Sequence, residues 1–531
     1  MQRRSVARGA VIVGAAYIVS NLTGFVARFI INARFGIGSE QDAFRAAFVI
    51  PDLLFNLLAG GALASAFIPT YVARLSAGQR DHAWALARTV ALTVFVGLGM
   101  LVGIAALIAP WLIGHVVAPQ FAESQVALTA MLMRIMLMST VIFGVSGLLM
   151  GVLQSNDEFL APAIAPSLYQ LGMIFGATVL NTLGIVGLAV GVVLGALLHL
   201  GVQLPALRKV TGQWVTSVSG KPTTQLQLLT RFSLRSDVRQ VLTRMPPRVL
   251  GLSAVQINGL VNTSLASAIP GAVSAVNNAF AIMILPLAVI AQAIGTALFP
   301  AISAHAARGE RAEFAASFTH ALSLVIALSL PASIGLVLLG LPIIRVLFQR
   351  GAFNIQSTQW VAWTLGWFGV GLTGHAILEL VTRAFYALKD SVRPAALAVV
   401  SMILNVTLSL VLTRLFATLG WLPFSGLALA NSIATVLEAV VLLVLLWRST
   451  PELSAQALFL ALAKSALATS VMGVVIVVWQ VFMGQGIVAS IAAIAMGAAV
   501  YFAVALMLHS DEVTFVLALL RRVGSRVSPG S

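Results

Sequence analysis

The chain reads as long apolar runs separated by short polar breaks. Runs of roughly 20 or more residues fall near 10–34, 46–73, 86–110, 127–153, 160–182, 185–206, 246–268, 272–302, 315–340, 358–383, 395–418, 425–447, 459–483 and 486–508. Each, coiled as a helix, is long enough to cross ~30 Å of hydrocarbon. The pattern predicts an all-α polytopic membrane protein of fourteen spanning helices. Two of the breaks are slight: Asn181-Thr-Leu-Gly184 and Gly484-Gln-Gly486.

Composition supports the same reading. The 531 residues are 60% hydrophobic and 9% charged, against ~25% charged in a soluble domain. So much apolar surface requires the bilayer as solvent. The absence of cysteine excludes disulfides and thiolate metal sites. The basic start, Met1-Gln-Arg-Arg-Ser-Val-Ala-Arg8, leads into a run interrupted by Asn21 and Arg28 and followed directly by another span. That predicts a retained first helix, not a cleaved signal.

The net charge of +15 sits between apolar runs, not on one face of a soluble domain, so no nucleic-acid partner is expected. One side collects Arg3, Arg4, Arg8, Arg74, Arg80, Arg88, the basic connection 208–245, Arg308, Arg311, Lys389, Arg393, Arg448, Arg521, Arg522 and Arg526. The other has Arg34, Arg45, Arg345, Arg350 and Arg414. This asymmetry places both termini in the cytoplasm of a multi-pass protein and requires an even span count.

The chain also repeats. Ala64–Gly78 resembles Gly295–Gly309, with Pro69 matching Pro300 and Gly78 matching Gly309, both pairs 231 residues apart. Gln41-Asp-Ala-Phe44 resembles Asn277-Asn-Ala-Phe280. Asp157-Glu158 and Pro162 parallel Lys389-Asp390 and Pro394. A period of six helices preserves topology, so the halves are parallel repeats. The expected organisation is an N-lobe at 1–207, a cytoplasmic connection at 208–245, a C-lobe at 246–449, and two added helices with a tail at 450–531. Two such lobes usually enclose a central cavity.

Polar side chains within the spans concentrate in the repeat-related first, second, seventh and eighth. Arg28 and Arg45, with Asp42 to orient them, are candidates to hold an anionic group, most plausibly a phosphate. Asn21 shares a face with Arg28. Asp52 and Asn56 form an i,i+4 pair, and Asn262 and Asn278 line the corresponding part of the other lobe. These amides also serve as interhelical bonds in many membrane proteins, and Arg28 has an alternative as a structural ion pair with Asp42 or Asp52. Glu438, in the twelfth span, is a candidate for binding a proton or cation. Pro51, Pro69, Pro286 and Pro300 should kink the second and eighth helices. The sequence has no Gly-x-x-x-x-Gly-Lys phosphate loop, no His-Glu-x-x-His motif and no catalytic constellation, so neither an ATP-driven pump nor an enzyme is expected.

The run Ser20-Asn-Leu-Thr-Gly24, Ala27-Arg28, Phe35-Gly-Ile-Gly38, Asp42-Ala-Phe44, Ile50-Pro-Asp-Leu-Leu54, Ala59-Gly-Gly-Ala62 and Ala66-Phe-Ile-Pro69 resembles the N-terminal signature of the MurJ (MviN) family. Phe348-Gln-Arg-Gly-Ala-Phe353 and Arg383-Ala-Phe-Tyr-Ala-Leu-Lys-Asp390 resemble it too. The resemblance implies a lipid II flippase of peptidoglycan synthesis in the multidrug/oligosaccharidyl-lipid/polysaccharide exporter superfamily. It implies alternating access, a cationic central cavity for the pyrophosphate-sugar headgroup and a groove by the last two helices for the lipid tail. It also marks departures. Asn21, Phe55 and Asn56 stand where many members carry Arg, and Gly60 where many carry Glu. Ala281 and Ile284 align where Arg and Glu are common, so the cavity is less cationic than the family's. Either amides replace charges in binding lipid II, or the substrate is another polyprenyl-linked glycan; a cation-coupled exporter is the further alternative. Some members bind sodium, and here Asn258, Asn405, Ser409, Asn431, Thr435 and Glu438 are the candidate oxygens, with Na+ or H+ as coupling ion. The expected partners are the lipid-linked glycan, membrane lipids and cell wall synthesis proteins, with the chain itself a monomer in the bacterial inner membrane.

Overall fold

The computed structural model describes residues 2–56, 61–215, 236, 237, 239, 256–484 and 486–518. Among the described residues the regular structure is helical throughout. The first half contains α1 (Gln2–Phe35), α2 in two parts (Ser39–Leu54 and Gly61–Ser76), α3 (Arg80–Leu107), α4 (Glu123–Gln154), α5 (Leu160–Thr178), α6 (Ile185–Gly201) and α7 (256–266). The second contains α8, whose parts Ala272–Leu287 and Ala293–Arg308 flank a π turn. It continues through α9 (Arg311–Phe348), α10 (Ile355–Ala387), α11 (Val392–Thr418), α12 (Ser425–Ser449), α13 (Ala455–Met483) and α14 (Ile487–Met507).

Eleven helical stretches, α3 to α6 and α8 to α14, are apolar and long enough to cross a bilayer. The remaining expected runs fall on α1, the two parts of α2, and α7, whose preceding residues 246–255 lie outside the described ones. Several helices outrun their apolar segments: α9 covers Arg311–Phe348, against an expected 315–340. Backbone hydrogen bonding continues past the hydrocarbon edge, where polar side chains end the apolar signal but not the helix.

The chain divides into two compact units, Met1–Val273 with Gly351–Phe353, and Ser274–Arg350 with Asn354–Ser531. This division falls after α7. Residues 216–235 and 240–255 lie outside the described residues. In the first unit α1 packs on α5, α2 on α4, and α5 on α6. In the second, α9, α10 and α12 surround a core that includes Phe314, Phe318, Leu322, Leu380, Phe385 and Leu446, and α13 and α14 lie against α9.

The repeat is visible in the backbone. Gly78 and Gly309 both take left-handed φ, 75° and 73°, each ending the helix before the next begins. Asp157 and Lys389, which occupy equivalent turns, have φ of 62° and 61°. These are unusual for residues with a Cβ, and two matched cases fix the alignment. Pro51 is followed by a π turn at 55–56, and Pro286 by one at Ala288–Gln292. A proline lacks the N–H of the helical ladder, and the π turn absorbs the misfit.

The α5–α6 contact is built from glycine. A Cβ placed on Gly191 would lie 2.7 Å from the Gly172 carbonyl oxygen and 2.8 Å from the Gly176 Cα. Small residues let the two backbones touch, which is how helices gain packing energy in lipid. At the end of α2, Arg74 donates two hydrogen bonds of 2.8 Å to Asp237, which also pairs with His82 at 2.8 Å. The segment bearing Asp237 is thereby tied to α2 and α3. Burial alone would raise the Asp237 carboxyl, but hydrogen bonds from Arg74 and His82 outweigh it and hold the group below the ordinary carboxylate range.

Gly191→Val should destabilise the first unit by about 3 kcal/mol, read as a lower melting midpoint of purified protein. Asp237→Asn should cost about 2 kcal/mol, as expected for a hydrogen bond to a charged partner. Because the folded carboxyl titrates lower than the unfolded one, the Asp237 contribution is present above the ordinary carboxylate pKa. It is lost as pH falls through the depressed value. Melting curves of wild type and Asp237→Asn should therefore converge on acidification; curves that stay parallel would refute the linkage.

Candidate functional site

The polar residues of α1 and the first part of α2 meet within the first unit. Asn32 and Gln41 are both fully buried, and Gln41 Nε2 donates to Asn32 Oδ1 at 2.9 Å. This bond joins α1 to α2 across the Gly36 turn. Asp42 is also fully buried, and its carboxylate accepts the Gly271 N–H at 2.5 Å. Gly271 has φ of 92°, a conformation that glycine adopts without a Cβ penalty. The start of α2 is thus held to the turn that follows α7.

Arg45 lies one turn beyond Asp42. Its Nε is buried without a hydrogen-bond partner, and its guanidinium is within electrostatic reach of Arg28, Tyr169 and Asp42. Two guanidiniums from neighbouring helices therefore share one region, with a single buried carboxylate that is already engaged by a backbone N–H. A buried cation with an unused donor is costly in hydrocarbon, and an incoming anion satisfies both demands.

The other candidates distribute as follows. Asn21 is exposed on α1. Asn56 Nδ2 donates to the Asp52 backbone carbonyl at 2.9 Å, and Phe55 packs against Phe143 with ring centroids 5.6 Å apart. On α7 the Oδ1 atoms of Asn258 and Asn262 are buried without hydrogen-bond partners. In the second unit Asn278 is fully buried. Of the candidate ion ligands there, Asn405 Oδ1 accepts from Ser409 at 3.1 Å and Asn431 Oδ1 pairs with His375 Nε2 at 3.0 Å. Thr435 is buried, and Ser401, beside Glu438, donates its hydroxyl to the Ala434 carbonyl at 3.3 Å. The residues thus form separate pairs along α10, α11 and α12. His375 and Ser401 were not among the expected donors, and neither was Tyr169 beside Arg45. A lone Tyr or Ser in an apolar run gives no periodic signal, and only packing brings it to a partner.

The second unit also has an apolar cavity of about 440 Å³ between α8, α9, α13 and α14. Leu285, Pro286, Leu336, Met472, Ile494 and Phe502 are among its walls.

A family model described as "Lipid II flippase MurJ" matches residues 31–497. The chain belongs to this family. It is 30% identical to a probable lipid II flippase MurJ of Rhizobium tropici, over 98% of this chain and 97% of that one. It is 29% identical to the lipid II flippase MurJ of Burkholderia cenocepacia, over 80% of each. A solved structure of lipid II flippase MurJ in an inward closed conformation superposes with a TM-score of 0.77 at 21% identity, covering 94% of this chain and 99% of that one. An inward-facing multidrug resistance MATE family transporter of the MOP superfamily gives 0.62 at 16% identity, over 81% and 95%. Family membership makes the chain a multi-pass membrane transporter with the MurJ fold.

Asp42→Ala should lower the melting midpoint without any substrate present, by about 2 kcal/mol of stability for the lost charged acceptor. Asp42→Asn, which keeps an acceptor oxygen, should recover part of it. An unchanged midpoint in Asp42→Ala would show that the bond to Gly271 carries no weight.

Proposed function

We propose that the chain flips lipid II, the undecaprenyl-pyrophosphate-linked peptidoglycan precursor, from the inner to the outer leaflet of the bacterial cytoplasmic membrane during cell wall synthesis. Membership of the lipid II flippase MurJ family supports the substrate class. The observation that carries the binding role is Arg45, whose buried Nε has no partner, within electrostatic reach of Arg28. A pyrophosphate offers several acceptor oxygens in the geometry that a guanidinium fork matches. Asn21, Asn56 and Asn262 of the same unit contribute to headgroup selection. The apolar cavity beside α13 and α14 takes part of the polyprenyl tail, because burying alkyl groups there demands no polar compensation.

Transport proceeds by alternating access, with both termini in the cytoplasm and a monomer as the working unit. Na+ or H+ is the coupling ion, with Glu438, Asn405, Ser409, Asn431 and Thr435 of the second unit as candidate oxygen donors. A second reading, another polyprenyl-linked glycan, is favoured by Asn21, Phe55 and Asn56. Phe55 packs on Phe143 and Asn56 bonds backbone, so neither supplies a charge.

The chain should rescue a bacterium depleted of its own lipid II flippase. Arg28→Ala and Arg45→Ala should each reduce lipid II translocation by about tenfold or more, the loss of roughly 1.4 kcal/mol of binding. Arg28→Lys should recover only part, since a point charge does not replace a fork. Full rescue by both alanine variants would sink the pyrophosphate role. Failure of the wild type to rescue, at normal membrane levels, would favour the second glycan.

A further inference from the structure

A second cavity, of about 290 Å³, lies inside the first unit between α2, α4, α5 and α6. This is near the lower end of small-molecule pockets (~300–1,000 Å³). Neither Arg28 nor Arg45 lines it. Its walls include Phe48 and Phe55 on α2, Phe143 on α4 and Tyr169 on α5, and the carboxylate-bearing Asp52 also faces it. Phe143 sits 5.6 Å from Phe55, 5.0 Å edge-on from Tyr169 and 5.2 Å edge-on from His199, between ring centroids. The aromatic wall is therefore continuous across four helices.

His199, on α6, is held from behind. Its Nδ1 pairs with Ser146 Oγ at 2.7 Å, and Gln203 Nε2 donates to the same Oγ at 2.7 Å and to the His199 carbonyl at 2.9 Å. With the Gln203 donor directed at Ser146 Oγ, the hydroxyl hydrogen is free to serve Nδ1, which suits a neutral imidazole. Asp52 is exposed and enters none of the ion pairs among the described residues. It is the one acidic side chain among the residues lining the cavity.

A single carboxylate in a cavity lined by several aromatic rings and a mostly apolar wall matches a cation whose charge is spread over an apolar body. Ring faces carry negative potential and attract such a charge, and the carboxylate supplies its counterion. We propose that this cavity binds a lipophilic monovalent organic cation, of quaternary ammonium or phosphonium type, with Asp52 as counterion and Phe55, Phe143 and Tyr169 as its cage. The arginines do not line this cavity, although Arg45 lies within electrostatic reach of Tyr169, and the inference does not depend on the lipid II reading.

The test is equilibrium binding of tritiated tetraphenylphosphonium to the purified full chain in nanodiscs, with empty nanodiscs subtracted. Wild type should bind saturably, and its melting midpoint should rise with the ligand. Asp52→Asn should weaken binding at least tenfold, Asp52→Glu should restore much of it, and Phe143→Leu should weaken it several-fold. Arg45→Ala should not weaken it, because it removes a like charge within reach of Tyr169 and no residue lining the cavity. Tetraphenylborate, of the same shape and opposite charge, should not compete. Folding of each variant is read from its ligand-free melting curve, so that Asp52→Glu remains decisive if Asp52→Asn is unstable. Equal affinity in a folded Asp52→Asn, competition by tetraphenylborate as strong as by the cation itself, or no saturable binding to wild type would each overturn the proposal.

Discussion

A polar group in hydrocarbon has no water to fall back on, so its partner must come from the protein. That constraint organises this molecule. Backbone groups are satisfied by helices, and the polar side chains by short bonds between them. Gln41 reaches Asn32, the Asp42 carboxylate takes the Gly271 N–H, Ser146 and Gln203 secure His199, and Asn431 meets His375. Against this background the groups left without a partner stand out. Arg45 Nε and the Oδ1 atoms of Asn258 and Asn262 are buried and unsatisfied.

The duplicated architecture does not imply duplicated chemistry. The two halves share the Gly78 and Gly309 turns, the strained Asp157 and Lys389 turns, and the π turns after Pro51 and Pro286. These are backbone devices, and they persist because a helix interrupted by proline needs the same relief in either copy. The side chains have diverged. The first unit holds the arginine pair and the aromatic cavity around Asp52. The second holds uncharged or weakly polar pairs along α10 to α12 and the apolar cavity beside α13 and α14. The buried cations and the larger apolar cavity thus lie in different copies of one fold.

The close α5–α6 approach and the Asp237 anchor show what maintains such a scaffold. Lipid gives helices little hydrophobic reason to associate, so backbone contact through Gly172, Gly176 and Gly191 replaces it. Outside the spans, where water competes for every charge, Arg74 and His82 hold Asp237 by enclosing it.

Length and polarity along the chain were sufficient to determine the helical class, the positions of the breaks and the six-helix repeat. Those depend on the thickness of hydrocarbon and on local backbone chemistry, which each segment expresses by itself. The candidate arginines were legible for the same reason: a charge in an apolar run is conspicuous wherever it ends up. Tertiary structure alone decided the partners. Asp42 and Gly271 are 229 residues apart, and no local pattern connects them. Phe55, Phe143 and Tyr169 look like ordinary core residues until three helices bring their rings to the cavity that Asp52 also lines.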